Sequence, residues 1–185
     1  MQRGPTVLVG HSYGGIVISE AAASAPDVTA LVYVSGFAAD EGETLGELNA
    51  RNPASSGALP LRFNDPGFVW IDPAAYPEVF AHDVELAQAR IMAAVQKPIA
   101  AKIFGEKATQ ASWKSLPSWY LVSERDRILA PETQWFMAKR MNSAIAAVPG
   151  SHASLVSHAG ETAELVAAAA RRMADSPAKA AISRT

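Results

Sequence analysis

A glycine-flanked serine at the junction of a buried strand and a helix constrains this chain more than any other feature. The segment is Gly10-His11-Ser12-Tyr13-Gly14, with Gly15 directly after it. Before it runs Thr6-Val7-Leu8-Val9, continuously apolar and rich in β-branched residues, the pattern of a strand covered on both faces. After it, Ile16 to Ala25 reads as a helix of small residues stopped by Pro26-Asp27. A second strand, Ala30 to Val34, follows at once, so the opening is a βαβ unit and calls for a parallel sheet. A serine on such a sharp turn projects its hydroxyl from the carboxyl end of the strand, while Gly10 and Gly14 keep the flanks clear of side chains. Two readings of Ser12 stand side by side: an exposed nucleophile, or an ordinary helix N-cap. A phosphate-binding loop fits poorly, because neither Gly-Lys-Ser/Thr nor G-x-G-x-x-G spacing is present.

Regular patterning dissolves from Ala38 to about Asp83, a stretch rich in Gly, Pro, Asn and Asp. A loop of that length in a compact domain is more often functional than accidental. Its aromatics Phe63, Phe68, Trp70, Tyr76 and Phe80 suit either an apolar pocket or a loop packed onto the core. Glu85 to Gln96 reads as a helix, followed by a polar, partly helical stretch to Ser115. Strands are expected at Trp119 to Val122 and Ala144 to Val148, with helices at Glu132 to Met141 and Thr162 to Met173. The sequence thus reads as a single domain over 1–174 and a frayed tail over 175–185.

Composition removes several classes of function. Apolar residues make up 49% and charged residues 18% of 185 positions, which suits a globular chain with an adequate core. The formal net charge of −2, with no block of Lys or Arg, gives no basis for binding nucleic acid or an anionic membrane. Cysteine is absent, which removes disulfides, thiolate metal sites and a Cys nucleophile. The histidines and carboxylates lack ligand spacing such as H-E-x-x-H, so neither metal nor cofactor is expected. Val7-Leu8-Val9 is too short for a membrane span or a signal sequence, and a cytoplasmic protein is expected.

A serine nucleophile needs a histidine base oriented by a carboxylate. His11 lies inside the turn and points the wrong way for its neighbour, His82 sits in the irregular stretch, and His158 falls near the last helix. His152, in the Gly-Ser-His turn after the fourth strand, is the candidate base, and Asp126, after the third strand, is the candidate acid. The plain alternatives are a solvated loop histidine and a surface ion pair of Asp126 with Arg125 or Arg127. The order Ser12, Asp126, His152 is that of α/β-hydrolases and of no other common serine-hydrolase fold.

These segments, together with Asp40-Glu41-Gly42-Glu43 and Ser123-Glu124-Arg125-Asp126, resemble the α/β-hydrolase superfamily, on the small-esterase branch related to plant methylesterases and hydroxynitrile lyases. The resemblance implies an α/β fold with a mainly parallel sheet and flanking helices, the C-terminal part of that architecture plus a cap over about 38–115. It also implies roles: Ser12 forms an acyl-enzyme, His152 acts as base and then acid, Asp126 fixes the histidine tautomer, and the Tyr13 backbone N–H is one oxyanion donor. The implied activity is hydrolysis of small carboxylic esters. Family members, however, carry strands ahead of the nucleophile and a His-Gly loop with a second oxyanion donor, and losing one donor can cost ~10²–10³ in rate. The strand Thr6 to Val9 would then be an apolar edge, and pairing of two such edges in a homodimer is expected. A truncated gene product and an impaired hydrolase acting as a small-ligand binding or assembly module are the other readings. A hydroxynitrile lyase would use a lysine near the cap; none occurs from Ala38 to Gln96, although Lys97, Lys102 and Lys107 follow.

Overall fold

The computed structural model describes residues 4–52, 57–64 and 67–174. The expected tail at 175–185 lies outside the described residues. Four parallel strands form the main sheet in the order β1 (Thr6–His11), β2 (Val28–Val34), β6 (Ser118–Ser123), β7 (Ala144–Val148). The mainly parallel α/β architecture read from the sequence is therefore observed.

Alternation along the two central strands explains why they are apolar throughout. Leu31 and Tyr33 of β2, with Tyr120 and Val122 of β6, pack against Ile16 and Ile18 of α1 (Gly14–Ala22) and Met137 and Ala138 of α5 (Pro131–Arg140). Ala30, Val32 and Val34, with Trp119 and Leu121, pack instead against Leu165 and Ala169 of α7 (Ala159–Ala174). Both faces are covered, as a parallel sheet requires. On the outer side, β1 is an edge of this sheet, and its Val9 is 47% exposed.

The connection from β2 to β6 holds most of what the sequence pattern hid. It contains α2 (Leu45–Ala50), an antiparallel sheet of β3 (Leu61–Asn64), β4 (Phe68–Ile71) and β5 (Ile99–Ala100), and the helices α3 (Tyr76–Phe80) and α4 (Leu86–Val95). Two 3₁₀ turns, Ala101–Phe104 and Ser112–Lys114, complete it. The expectation of an irregular stretch from Ala38 to Asp83 is corrected here: several short elements occupy it, each of six residues or fewer. Runs that short carry too little periodicity to register. The last short helix, α6 (Ser154–Ser157), sits between β7 and α7.

Parallel strands place their carboxyl ends along one edge of the sheet, which is where crevices form in α/β folds. Ser12 follows β1, Asp126 follows β6 and His152 follows β7. The topology alone thus gathers three sequence-distant residues at one edge.

Candidate active site

Ser12 adopts φ +54°, a left-handed conformation that serine rarely takes and that costs on the order of 1–2 kcal/mol. Backbone bonds hold it there: Ser12 N–H donates to Val34 O (3.3 Å), and its carbonyl accepts from Gly15 N (3.0 Å) and Phe37 N (2.9 Å). Two glycines make the turn possible. A methyl on Gly10 would overlap the Gly14 carbonyl, and one on Gly15 would overlap the Phe37 carbonyl. The N-cap of α1 is Tyr13, and no side chain caps the helix, so the N-cap reading of Ser12 is not what the structure contains. Ser12 Oγ makes no hydrogen bond among the described residues, and the Tyr13 N–H likewise donates to none of them.

Asp126 and His152 are brought together and fully enclosed, at 1% and 0% exposure. Asp126 Oδ1 accepts from the N–H groups of Ile128 (2.7 Å) and Leu129 (2.9 Å), and Oδ2 accepts from Gln134 Nε2 (2.8 Å). The remaining partner of Oδ2 is His152 Nδ1 at 2.7 Å. A carboxylate surrounded by donors can only accept, so the His152 proton sits on Nδ1. In the neutral ring Nε2 then carries a lone pair, and this atom is buried with no hydrogen-bond partner among the described residues. The surface-ion-pair reading of Asp126 fails, because its partners are buried donors. Gln134 also accepts from Ser123 N (2.9 Å) and donates to Leu129 O (2.9 Å), locking the loop that bears Asp126.

His11 joins the site in a way the sequence did not reveal. Its Nε2–H donates to the His152 carbonyl at 2.8 Å, and the two rings lie 4.8 Å apart. Burial, reinforced by the nearby His152, pushes its pKa down to about 4 from 6.5. Between those values the unfolded chain binds a proton that the native chain does not, so stability declines as pH falls from 6.5 toward 4, by up to about 3 kcal/mol. Urea titrations at pH 7 and pH 4.5 check this: His11→Gln flattens the decline, and an unchanged decline in that variant contradicts it.

A cavity of about 280 Å³ opens on Ser12. His11, Ser12 and Tyr13 line it together with Trp70, Tyr76 and Phe80, and the Phe80 ring meets the His11 ring edge-on at 6.0 Å. Lys97 and Phe104 also line it, and Lys97 has no ion-pair partner among the described residues. Of the aromatics Phe63, Phe68, Trp70, Tyr76 and Phe80, Phe63 and Phe68 do not line the cavity and are 66% and 39% exposed. Burial of the Tyr76 ring pushes its phenol up to about 12, so it faces the cavity as a neutral group. Lys102 pairs with Glu106, away from this cavity. His82 donates to the Arg125 carbonyl (2.9 Å), and His158 lies beside Glu161 and Asp83. No cluster of three or more His, Asp or Glu among the described residues could hold a metal ion. Nor is any described helix long and apolar enough to cross a membrane.

Residues 1–165 match the pattern of the Alpha/beta hydrolase family. The chain belongs to that family. An alpha/beta hydrolase of the fungus Aspergillus novofumigatus, nvfD, is 34% identical over 151 residues, which is 75% of this chain and 58% of that protein. The chain therefore spans well under two thirds of this curated relative. Solved hydrolase folds superpose closely. A pyrethroid hydrolase from Sphingobium faniae JZ-2 gives a TM-score of 0.73 at 24% identity, covering 96% of this chain and 74% of that one. Polyneuridine aldehyde esterase gives 0.68 at 15% identity over 89% and 71% of the two chains. Tomato methylketone synthase I gives 0.75 at 16% identity, over 93% and 73%. At these identities the likeness speaks for the fold.

Proposed function

We propose that this chain is a serine esterase that cleaves small carboxylic esters through an acyl-enzyme on Ser12. The observation that carries the reading is the enclosed Asp126–His152 pair, whose Nε2 has no partner among the described residues, at the same sheet edge as a strained Ser12 on a cavity wall. Ser12 Oγ attacks the ester carbonyl while His152 Nε2 takes its proton. The tetrahedral oxyanion accepts from the Tyr13 N–H, which no other described residue claims. As it collapses the carbon–alkoxy bond breaks, and His152 returns the proton to the departing alcohol. Water then attacks the acyl-enzyme with His152 again as base, releasing the acid and restoring Ser12. Asp126 holds the Nδ1 tautomer throughout. Serine–histidine contacts are often loose before substrate binds, which agrees with the unbonded Ser12 Oγ.

The 38–115 segment acts in this reading as the cap over the substrate. Its apolar, aromatic wall favours an ester with a flat or branched hydrocarbon acyl group over a strongly polar one. A specific observation supports a second reading: Lys97, which lines the cavity, suits a lyase that acts on a cyanohydrin. A panel of aryl, alkyl and branched esters plus one cyanohydrin separates the two. Ester turnover supports the esterase; aldehyde release from the cyanohydrin without ester turnover replaces it; neither, with a ligand bound in the cavity, makes the chain a binding module.

The edge position of β1, free of charge and proline, also favours pairing of two copies edge to edge. Light scattering is expected to give twice the 19.5 kDa chain mass at micromolar concentration, and a monomer there removes the pairing.

A further inference from the structure

Helix α3 and the turn that follows it toward α4 touch both loops that bear the acid–base pair. Asp83 Oδ2 accepts from the Ser151 N–H and from the Ser157 hydroxyl, both at 2.8 Å. Ser151 immediately precedes His152. Just after His152, the Ala153 N–H donates to the Phe80 carbonyl at 3.0 Å. His82 reaches the other loop, donating through Nε2 to the carbonyl of Arg125, the residue before Asp126 (2.9 Å). Glu78 pairs with Arg127, the residue after Asp126. The Phe80 ring meets the His152 ring edge-on, with centroids 4.7 Å apart.

Neither Asp126 nor His152 lies in a helix or strand, so the sheet alone does not fix them. From these contacts we infer that Asp83 is a positioning residue, which holds the turn carrying His152 in register with Asp126 and is seconded by His82 on the Asp126 side. The inference rests on the acid–base role proposed above for His152. Ser151 is fully enclosed while Asp83 reaches solvent, so without Asp83 the Ser151 N–H must turn to water entering the vacated space, a mobile partner that fixes the turn less firmly than the carboxylate. Burial works against the Asp83 charge, yet the bonds from Ser151 and Ser157 hold its carboxyl below the usual range. His158 Nε2 faces the same oxygen at 3.9 Å. Both short bonds end on that one oxygen, so an amide oxygen in its place can accept them too. This separates Asp83 as a hydrogen-bond acceptor from Asp83 as a charge. It also separates positioning from a plain contribution to stability, which would leave the state of the His152 ring unchanged.

The test compares wild type, Asp83→Asn and Asp83→Ala. The ¹⁵N shifts of the His152 ring, in protein labelled at histidine, report which nitrogen carries the proton and need no turnover. Wild type and Asp83→Asn are expected to show the proton on Nδ1; Asp83→Ala is expected to show a mixture with the Nε2–H form. In ester assays, Asp83→Ala is expected to lower kcat per titrated active site on the order of 10- to 100-fold, a scale typical of small misplacements. KM stays within about 2-fold, and Asp83→Asn recovers most of the loss. A wild-type tautomer and wild-type kcat in Asp83→Ala overturn the inference, even where its melting temperature falls. Equal damage from Asn and Ala overturns it as well. Should Asp83→Ala fail to fold, Ser157→Ala and His82→Ala probe the same contacts, and an unaltered His152 ring in both is the overturning result. If no ester is turned over by wild type, the ring shifts still decide the role of Asp83, and only the esterase reading is lost.

Discussion

Ser12→Ala is expected to reduce ester turnover by about 10⁴-fold or more, to the level of uncatalysed hydrolysis plus whatever binding and the Tyr13 N–H still provide. The size follows from the absence of a substitute. His152 Nε2 has no partner among the described residues, and the neighbouring His11 spends its Nε2–H on the His152 carbonyl. Removing the hydroxyl breaks no hydrogen bond among the described residues, because Ser12 Oγ makes none. Stability should therefore stay within about 0.5 kcal/mol of wild type. Steady-state kinetics on the best ester of the panel, with urea unfolding alongside, checks both parts. Turnover within a few-fold of wild type would remove Ser12 from the mechanism.

Asp126→Asn acts through the tautomer and should be nearly as severe, about 10⁴-fold in kcat. In the native chain Oδ1 faces the two donors Ile128 N–H and Leu129 N–H, so the amide oxygen of the substituted side chain is drawn to them. Its NH₂ then occupies the Oδ2 position, against Gln134 Nε2 and His152 Nδ1. His152 can only answer by accepting at Nδ1, which moves its proton to Nε2 and removes the base. The donor–donor contact with Gln134 adds a stability loss of about 1–3 kcal/mol. Kinetics and denaturation together check the pair of effects, and the ¹⁵N shifts of the His152 ring in Asp126→Asn check their cause. A wild-type Nδ1–H tautomer alongside a large loss of rate would mean that the tautomer is not the cause.

Much of the site was legible because its signals are local and its assembly is topological. The run Val7-Leu8-Val9 into Gly10-His11-Ser12 carries strand, turn and helix in a few residues. Strand order then brings Asp126 and His152 to the same edge without any further instruction. The 38–115 segment was less legible, since its elements are too short for periodicity to show. One exception could have been read: Thr44 and Glu47 form a capping box, with Glu47 N–H to Thr44 Oγ1 at 3.1 Å and Thr44 N–H to the Glu47 carboxylate at 2.8 Å. His11 and Asp83 could not have been read, because each acts on a loop distant in sequence, and contact of that kind leaves no spacing behind; Gln134 lies only eight residues from Asp126, but a glutamine in a helix next to the loop carries no distinguishing signal.

The most direct measurement is intact-mass spectrometry after incubation with a fluorophosphonate, on wild type, Ser12→Ala and His152→Ala. A phosphonate ester forms only where a base activates the serine hydroxyl, so one adduct is expected on wild type and none on either variant. Folded wild-type protein that gains no adduct, or Ser12→Ala protein that still gains one, would contradict it.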